Sequence, residues 1–149
     1  MPDPNVPSSR FPAGLQWFNA FDVIGTEPAA ATVLRCFLIV PFAHYVRQIT
    51  IGARDVDFVA GTFGAAPKAA APGAAKAGAT VGTALTATEL VATTDVISKY
   101  DITLSAVDSG TLRAAGTVYY LELSSNNAGN IFEQPMMSIG VEPSDRTRL

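Results

Sequence analysis

Few side chains in this 149-residue sequence are of the types that carry out chemistry, and they lie far apart. His44 is the only histidine, so a site that needs two imidazoles is excluded. Its place between Pro41 and a predicted strand favours a turn or core-edge position over a catalytic role. Asp55 and Asp57 have the i, i+2 spacing that puts both carboxylates on one face of a strand. Because Ca²⁺ takes roughly six to eight oxygen ligands, an ion pair with Arg54 or a solvated strand end is the simpler interpretation.

The sequence also lacks signatures of nucleophilic catalysis and phosphate binding. It contains no G-x-S-x-G nucleophile elbow and no G-x-x-x-x-G-K-[ST] phosphate loop. The single cysteine, Cys36, lies in the apolar stretch VLRCFLIV, where a buried thiol acts as a small apolar group. Glu122 alternates with Tyr120 and Ser124 and is expected to be an outward polar position. We therefore predict no enzymatic activity, no metal site and no cofactor.

Aromatic residues near the N-terminus are the strongest candidates for binding a partner. Residues 1–31 hold five of the ten prolines and show no clear helical or strand period, which predicts an extended N-terminal arm. Aromatic side chains are costly to leave in water and are favoured at interface hot spots, so the arm should lie on its own domain or on a neighbouring subunit. The candidate partner-binding residues are Phe11, Trp17, Phe18 and Phe21 in the arm, and Arg146 and Arg148 in the C-terminal tail.

The composition limits the classes of partner. Charged residues make up 15% of the chain, below the typical value of about 25%, which indicates a surface that contacts neighbours or contains alanine-rich loops. The net charge is −3 and the basic residues are scattered, so we predict no nucleic-acid binding. No apolar stretch reaches the roughly 18 residues of a membrane span, and MPDPNVPSSR lacks the apolar region of a signal peptide. We predict no membrane partner, and we expect a soluble protein made in a cytoplasm.

From residue 32 onwards, short stretches rich in β-branched and apolar residues alternate with turn signals, and no long helix is predicted. The first stretch is apolar on both faces, as a strand buried between two layers would be. The pattern predicts an all-β fold, an antiparallel, jelly-roll-like β-sandwich of about seven or eight strands over residues 32–143, followed by a tail at 144–149. The predicted strands are TVLRCFLIV (32–40), HYVRQITIG (44–52), VDFVAGTF (56–63), YDITLSAV (100–107), TVYYLELS (117–124) and MMSIGVE (136–142). The second and third are close enough for a hairpin. In 117–124, Tyr119, Leu121 and Leu123 share one side, and in 136–142 Met137, Ile139 and Val141 are expected to face inward.

The segment TALTATELVATTDVIS (83–98) is compatible with a short helix, because Leu85, Leu90 and Val91 could form one face. Its threonines favour extended structure, so we predict a strand.

The run GAAPKAAAPGAAKAGATVGT, at residues 64–83, interrupts this pattern. Alanine favours helix, but a proline or glycine recurs every few residues and would break a helix repeatedly. The run also offers no large side chain to bury. The sequence therefore predicts a long flexible loop between two strands, with a composition suited to reach and solubility.

The order of elements resembles that of the small β-sandwich proteins that decorate the heads of tailed bacteriophages. In that family a strand pair precedes a loop of variable length, and a segment of the type L-x-L-S-x…A-A-G-x-x-x-x-L-E leads into a final strand. The resemblance covers about residues 32–143. The matching residues here are Leu104, Ser105, Ala114, Ala115, Gly116, Leu121 and Glu122, followed by a turn at 126–130 and the strand segment 137–141.

The resemblance implies a cement or decoration protein, a non-enzymatic virion protein that binds the exterior of a capsid and clamps neighbouring major capsid protein subunits. Such proteins often assemble as homotrimers, so the implied partners are the major capsid protein and further copies of this chain. Two alternatives remain open from the sequence. One is a tail or baseplate component of a phage. The other is a carbohydrate-binding sandwich, in which Trp17, Tyr45, Tyr119 and Tyr120 would supply exposed stacking platforms.

Overall fold

The structure is a computed structural model that describes residues 15–23, 27–74, 77–90 and 97–144. Within these residues the chain forms eleven strands and one short helix. The strands are β1 (Gln16–Phe21), β2 (Thr32–Val40), β3 (His44–Ala53), β4 (Asp55–Asp57), β5 (Phe63–Ala70), β6 (Ala79–Thr80), β7 (Leu85–Thr86), β8 (Ser98–Asp101), β9 (Thr117–Ser125), β10 (Ile131–Glu133) and β11 (Met136–Pro143), and the helix is α1 (Ala106–Gly110).

Two larger antiparallel sheets enclose the hydrophobic core. One sheet has four strands in the order β1-β11-β3-β8. The other has the order β2-β9-β5-β6, with β7 also paired to β5, and a small third sheet pairs β10 with β4. The prediction of an all-β antiparallel sandwich is confirmed. The strand number exceeds the predicted seven or eight because several strands are only two or three residues long.

The core forms where the inward faces of the two sheets meet. In β9, Tyr119, Leu121 and Leu123 are fully buried, and in β11 Met137, Ile139 and Val141 are fully buried. These are the residues that the two-residue period of each sequence places on one face. The inward faces of β9 and β11 are thus confirmed as predicted.

Bulges change the inward faces of β2 and β3. In β3, Val46 pairs with Val141 and Gln48 with Gly140, so Arg47 is an extra residue and the alternation shifts there. In β2, the pairing shifts between Arg35 and Leu38, at Cys36, which has a φ of 59°. The bounds of β2 agree with the predicted strand, but the prediction that both of its faces are buried is wrong. Its outward face carries exposed apolar side chains.

The described part of the predicted N-terminal arm, residues 15–23 and 27–31, belongs to the sandwich. Strand β1 pairs with β11 along its whole length, from Gln16 opposite Val141 to Phe21 opposite Met136. Its side chains alternate between half-buried and exposed. The aromatic residues thus follow a strand period that the neighbouring prolines obscure in the sequence. Residues 1–14 lie outside the described part of the chain, as does most of the predicted tail at 144–149.

The prediction of a flexible loop at 64–83 is wrong over its first part. Strand β5 pairs with β9 from Phe63 to Ala70, inside the five-stranded sheet. Every second residue is buried, including Ala65 and Pro67. The carbonyl oxygen of Pro67 accepts a hydrogen bond from the amide of Val81. The nitrogen of a strand residue points to the same side as its carbonyl, so the nitrogen of Pro67 faces the gap between β7 and β6. The missing N–H therefore costs no hydrogen bond to β9.

Three other strand predictions require correction. The segment 56–63 is not one strand after a hairpin, because β4 pairs with β10 and not with β3, and β5 begins only at Phe63. The segment 100–107 ends its strand at Asp101 and enters helix α1, where Ser105 and Asp108 form a capping box. Within 83–98, β7 covers only Leu85–Thr86 and β8 begins at Ser98, while residues 91–96 are outside the described part.

Candidate functional site

Two aromatic side chains of β1 project from the outer surface of the four-stranded sheet. Trp17 is 46% exposed and Phe21 is 70% exposed. The next strand, β11, adds Met136, which is opposite Phe21 and 44% exposed. We call Trp17, Phe21 and Met136 the aromatic face. Large aromatic side chains fixed on a sheet are typical anchors of protein interfaces.

Two glycines let the large side chains of the aromatic face lie flat on the sheet. A Cβ atom at Gly140 would be 3.1 Å from two ring atoms of the Trp17 indole and 2.8 Å from Cδ1 of Leu15. A Cβ atom at Gly52 would be 2.8 Å from Cγ of Met136. Because neither glycine has a side chain, the Trp17 indole lies directly on the backbone of Gly140, and the Met136 side chain lies directly on the backbone of Gly52.

A polar row crosses the four-stranded sheet between Trp17 and the Phe21–Met136 pair. The hydroxyl of Ser138 donates to Oδ1 of Asn19 at 2.5 Å, and the hydroxyl of Thr50 donates to Oδ1 of Asp101 at 2.9 Å. The ammonium of Lys99 is 3.5 Å from the same carboxylate. The aromatic face thus consists of two apolar anchors separated by hydrogen-bonded polar groups, as in a partly wet interface.

The structure brings together only part of the predicted binding set. Trp17 and Phe21 share the outward side of β1, since they are four residues apart. Phe18 is on the opposite side, where it packs against the core with its ring centroid 5.9 Å from that of Phe42, so it is not a surface anchor. Phe11, Arg146 and Arg148 lie outside the described residues.

A second apolar surface lies on the outside of the five-stranded sheet, and the sequence did not predict it. Phe37 is 57% exposed and stacks on Tyr120, with ring centroids 5.3 Å apart. Ile39 is 58% exposed and opposite Val118. Strands β2 and β9, together with the turn that follows β5, enclose a depression of about 450 Å³. We call this depression the outer groove. The outer groove is lined by Leu34, Phe37, Val118, Tyr120 and residues 70–74.

His44 is a structural residue at the junction of the two sheets. It is fully buried; its Nδ1 lies 2.7 Å from the carbonyl oxygen of Phe42, and its Nε2 lies 2.5 Å from the hydroxyl of Tyr119. A carbonyl can only accept, so Nδ1 carries the proton and Nε2 accepts from Tyr119. Burial is the largest influence on the pKa of His44 and lowers it, the hydrogen bond to Phe42 opposes this, and Arg113 adds a smaller lowering. The predicted core-edge position is confirmed.

The other groups considered for chemistry also have structural surroundings. Cys36 is buried, its thiol donates to the carbonyl oxygen of Pro135 at 3.1 Å, and burial raises the pKa of this thiol to about 12. Asp55 and Asp57 flank the buried Val56 in β4. Within the part of the chain that the structure describes, no group of three or more His, Cys, Asp or Glu side chains is placed to hold a metal ion.

The stacking platforms required by the carbohydrate-binding alternative are not exposed. Tyr119 is fully buried and hydrogen-bonded to His44, and Tyr120 is buried beneath Phe37. Tyr45 is half-buried, with the guanidinium of Arg47 5.1 Å from its ring centroid. Of the four aromatic residues in that hypothesis, only Trp17 offers a largely open ring surface. The geometry therefore favours protein contact over sugar stacking.

Comparisons with known proteins add no relative. No family model, no curated protein and no solved structure matches this chain. Over the described residues, no helix has the length and apolar character needed to cross a membrane.

Proposed function

We propose that this chain is a non-enzymatic structural protein of a tailed-phage virion. In this proposal it binds the outer surface of the capsid as a homotrimer and stabilises the contacts between major capsid protein subunits. The sequence resemblance over residues 32–143 motivates the setting. The all-β sandwich is compatible with it, because a rigid body of two sheets can span neighbouring subunits.

The aromatic face is the observation that carries the proposal. Trp17 and Phe21 keep 46% and 70% of their surface exposed, although their strand is fully paired on one side with β11. Aromatic side chains held on a rigid element lose little conformational entropy when a partner covers them. Truncation of such an anchor typically costs at least about 2 kcal/mol of binding free energy. The aromatic face therefore provides a preformed contact for a major capsid protein.

A capsid lattice strengthens such contacts through multivalency. Each protomer of a trimer presents the same aromatic face, and a second contact made by a bound trimer is intramolecular. Linked binding of this kind raises overall affinity by roughly a hundredfold to ten-thousandfold without new contacts. Moderate contacts by Trp17 and Phe21 are thus sufficient for stable attachment.

Copy number in purified virions tests the proposal. Quantitative mass spectrometry would compare the amount of this chain with that of the major capsid protein. We expect a ratio on the order of one copy per capsid subunit, because a decoration protein covers the shell. A ratio corresponding to a few copies per particle would instead identify a tail or baseplate component, and absence from virions would refute the proposal.

Reconstitution tests the stabilising role separately. Capsids that lack the chain would be heated with and without the purified protein, and release of their contents would be followed. We expect the protein to raise the temperature of capsid disruption. The matched control is Val107→Ala, which alters an exposed apolar residue of α1 far from β1 in sequence and should behave as the unchanged protein. Binding without any gain in capsid stability would contradict the proposed role.

A further inference from the structure

The outer groove is an apolar surface that the described residues leave open. Phe37 and Ile39 each keep more than half of their surface exposed, at 57% and 58%. Phe37 lines the groove together with Val118 and the turn at 70–74. Ile39 is on the same outward side of β2, opposite Val118, so its exposed apolar atoms extend the surface beside the groove. Continuous exposed apolar patches of this kind mark contact sites, whereas single exposed side chains do not.

Residues 1–14 join the sandwich at the start of β1, at the edge that borders the outer groove. Strand β1 runs beside the edge strand β2 in the opposite direction, because Phe18 contacts Phe42 and a carboxylate oxygen of Asp22 accepts from the amide of Cys36 at 2.9 Å. The start of β1 is therefore near the end of β2, the end that carries Ile39. Residues 1–14 precede β1 from this position.

The sequence of residues 1–14 suits an aromatic-lined groove. The segment contains Pro2, Pro4, Pro7 and Pro12, and it contains Phe11. Proline-rich segments adopt the polyproline II conformation at little entropic cost, and they bind in grooves lined by aromatic rings. The stacked rings of Phe37 and Tyr120 are such a lining.

Direction and length also allow the segment to reach the groove of its own chain. The residues FPAG, at 11–14, place proline second and glycine fourth, which is typical of a type I turn. A turn there would reverse the chain immediately before β1 and direct it back over β2. At about 3.1 Å per residue, the ten residues before this turn span roughly 31 Å, about the length of the nine-residue strand β2.

We propose that residues 1–14 dock as an extended, proline-rich segment in the outer groove of the same chain. The docked segment covers Phe37 and Ile39, and it leaves the aromatic face on the opposite sheet free for other contacts. This inference concerns the isolated protein and does not depend on capsid binding.

A spin label on the segment tests the proposal directly. Ser8→Cys would carry a nitroxide on the full-length, ¹⁵N-labelled protein, and Cys36, which is 1% exposed, should remain unlabelled. We expect the amide signals of Phe37, Ile39 and Val118 to lose more than half of their intensity. A label at Val107→Cys, on the exposed side of α1, is the control and should leave these signals intact.

A mixed sample identifies the chain that supplies the segment. Protein that carries the spin label but no ¹⁵N would be mixed with ¹⁵N-labelled protein that carries no spin label. We expect no broadening in the mixture. Broadening of the groove signals that persists in the mixture would show that a second copy is the occupant. Broadening of the β1 signals alone, or none in either sample, would also overturn the proposal.

Proteolysis provides a second measurement. Trypsin cleaves after Arg10, and docking should protect this bond. Phe37→Thr, which keeps a residue of high strand propensity at this position, should increase the cleavage rate about tenfold, since burial of a phenylalanine contributes at least that factor to docking. The control Trp17→Thr, on the opposite face, should leave the rate unchanged. Equal rates for the two variants would contradict docking in the outer groove.

Discussion

Strands β1 and β5 have opposite compositions and opposite places in the sandwich. Strand β1 carries Trp17, Phe18 and Phe21 and lies at the end of the strand order of its sheet. Strand β5 is built mainly from alanine, with one proline and one lysine, and lies between β9 on one side and β6 and β7 on the other. The strand with the large apolar side chains is thus the exposed one.

The difference shows that the position of a strand in its sheet, and not side-chain size alone, decides whether its side chains are buried. Alanines of β5 are buried because Leu121 and Leu123 on the neighbouring β9 supply the volume of the core. The rings of Trp17 and Phe21 stay exposed because they are on the side of β1 that faces away from the core. We therefore expect substitutions in β5 to affect stability, and outward substitutions in β1 to affect binding.

The largest expected effect is on the stability contributed by β5. Ala65 is fully buried, so Ala65→Lys would bury an unpaired ammonium and should lower the free energy of unfolding by about 3 to 5 kcal/mol. Ala66→Lys is the matched control. Its side chain is on the outer face opposite Glu122, and the change should stay within about 0.5 kcal/mol. Urea unfolding measures both; equal losses would refute the burial assigned to β5.

The next effect separates the two faces of β1. Trp17→Ala should weaken the proposed capsid binding by about 2 kcal/mol, roughly thirtyfold, with little change in melting temperature. Phe18→Ala should lower stability by about 2 kcal/mol, since Phe18 packs on Phe42 in the core. Binding isotherms and thermal unfolding of both variants test this contrast, and a melting temperature that falls more for the Trp17 variant would reverse it.

A smaller effect concerns the glycine beneath Trp17. Gly140→Ala would place a methyl group 3.1 Å from the indole and should displace it, at a cost of about 1 kcal/mol. Trp17 is the only tryptophan, so its fluorescence reports the change, and the emission maximum should shift to longer wavelength as the ring becomes more exposed. Gly110→Ala is the control, because no atom lies within 4 Å of its added Cβ. An unchanged spectrum for Gly140→Ala would show that the indole does not rest on this glycine.

The smallest effect concerns pH and the junction on which both sheets depend. Burial lowers the pKa of His44 below its ordinary 6.5, so the unfolded chain binds a proton more readily than the folded one. The stability that neutral His44 contributes is complete above pH 6.5 and is lost as the pH falls through the folded pKa. We expect the free energy of unfolding to decrease between pH 7 and pH 5. In His44→Gln this decrease should be smaller, and an identical pH profile would contradict the assignment.

The sequence predicted the strands whose side chains alternate in size and polarity. The inward residues of β9 and β11 were predicted correctly, because large apolar residues recur at every second position there. The bounds of β2 were predicted correctly as well, since Pro41 follows its last residue. A local sequence pattern is sufficient to predict a strand and its inward face where large apolar side chains alternate with polar ones.

The remaining errors involve information that lies elsewhere in the chain. Alanine gives no periodic signal, so the burial of Ala65 is visible only once β9 is known to cover it. The exposure of Phe37 depends on the bulge at Cys36 and on β2 being at the edge of its sheet. For the candidate site, the sequence placed Trp17, Phe18 and Phe21 in one set, and only the strand alternation of β1 shows that Phe18 is on the inward side.

The last strand in the described chain is in the middle of its sheet, and this affects the order in which the protein can form during synthesis. Strand β11 pairs with both β1 and β3, so residues 16 and 141 must meet across almost the whole chain. A nascent chain that has not yet reached β11 has no four-stranded sheet, and β1 has no partner strand within it. Pairing over such a separation is slow and leaves apolar strand edges open meanwhile. Folding of this half of the sandwich is therefore a late event, largely completed after the ribosome has made residue 143.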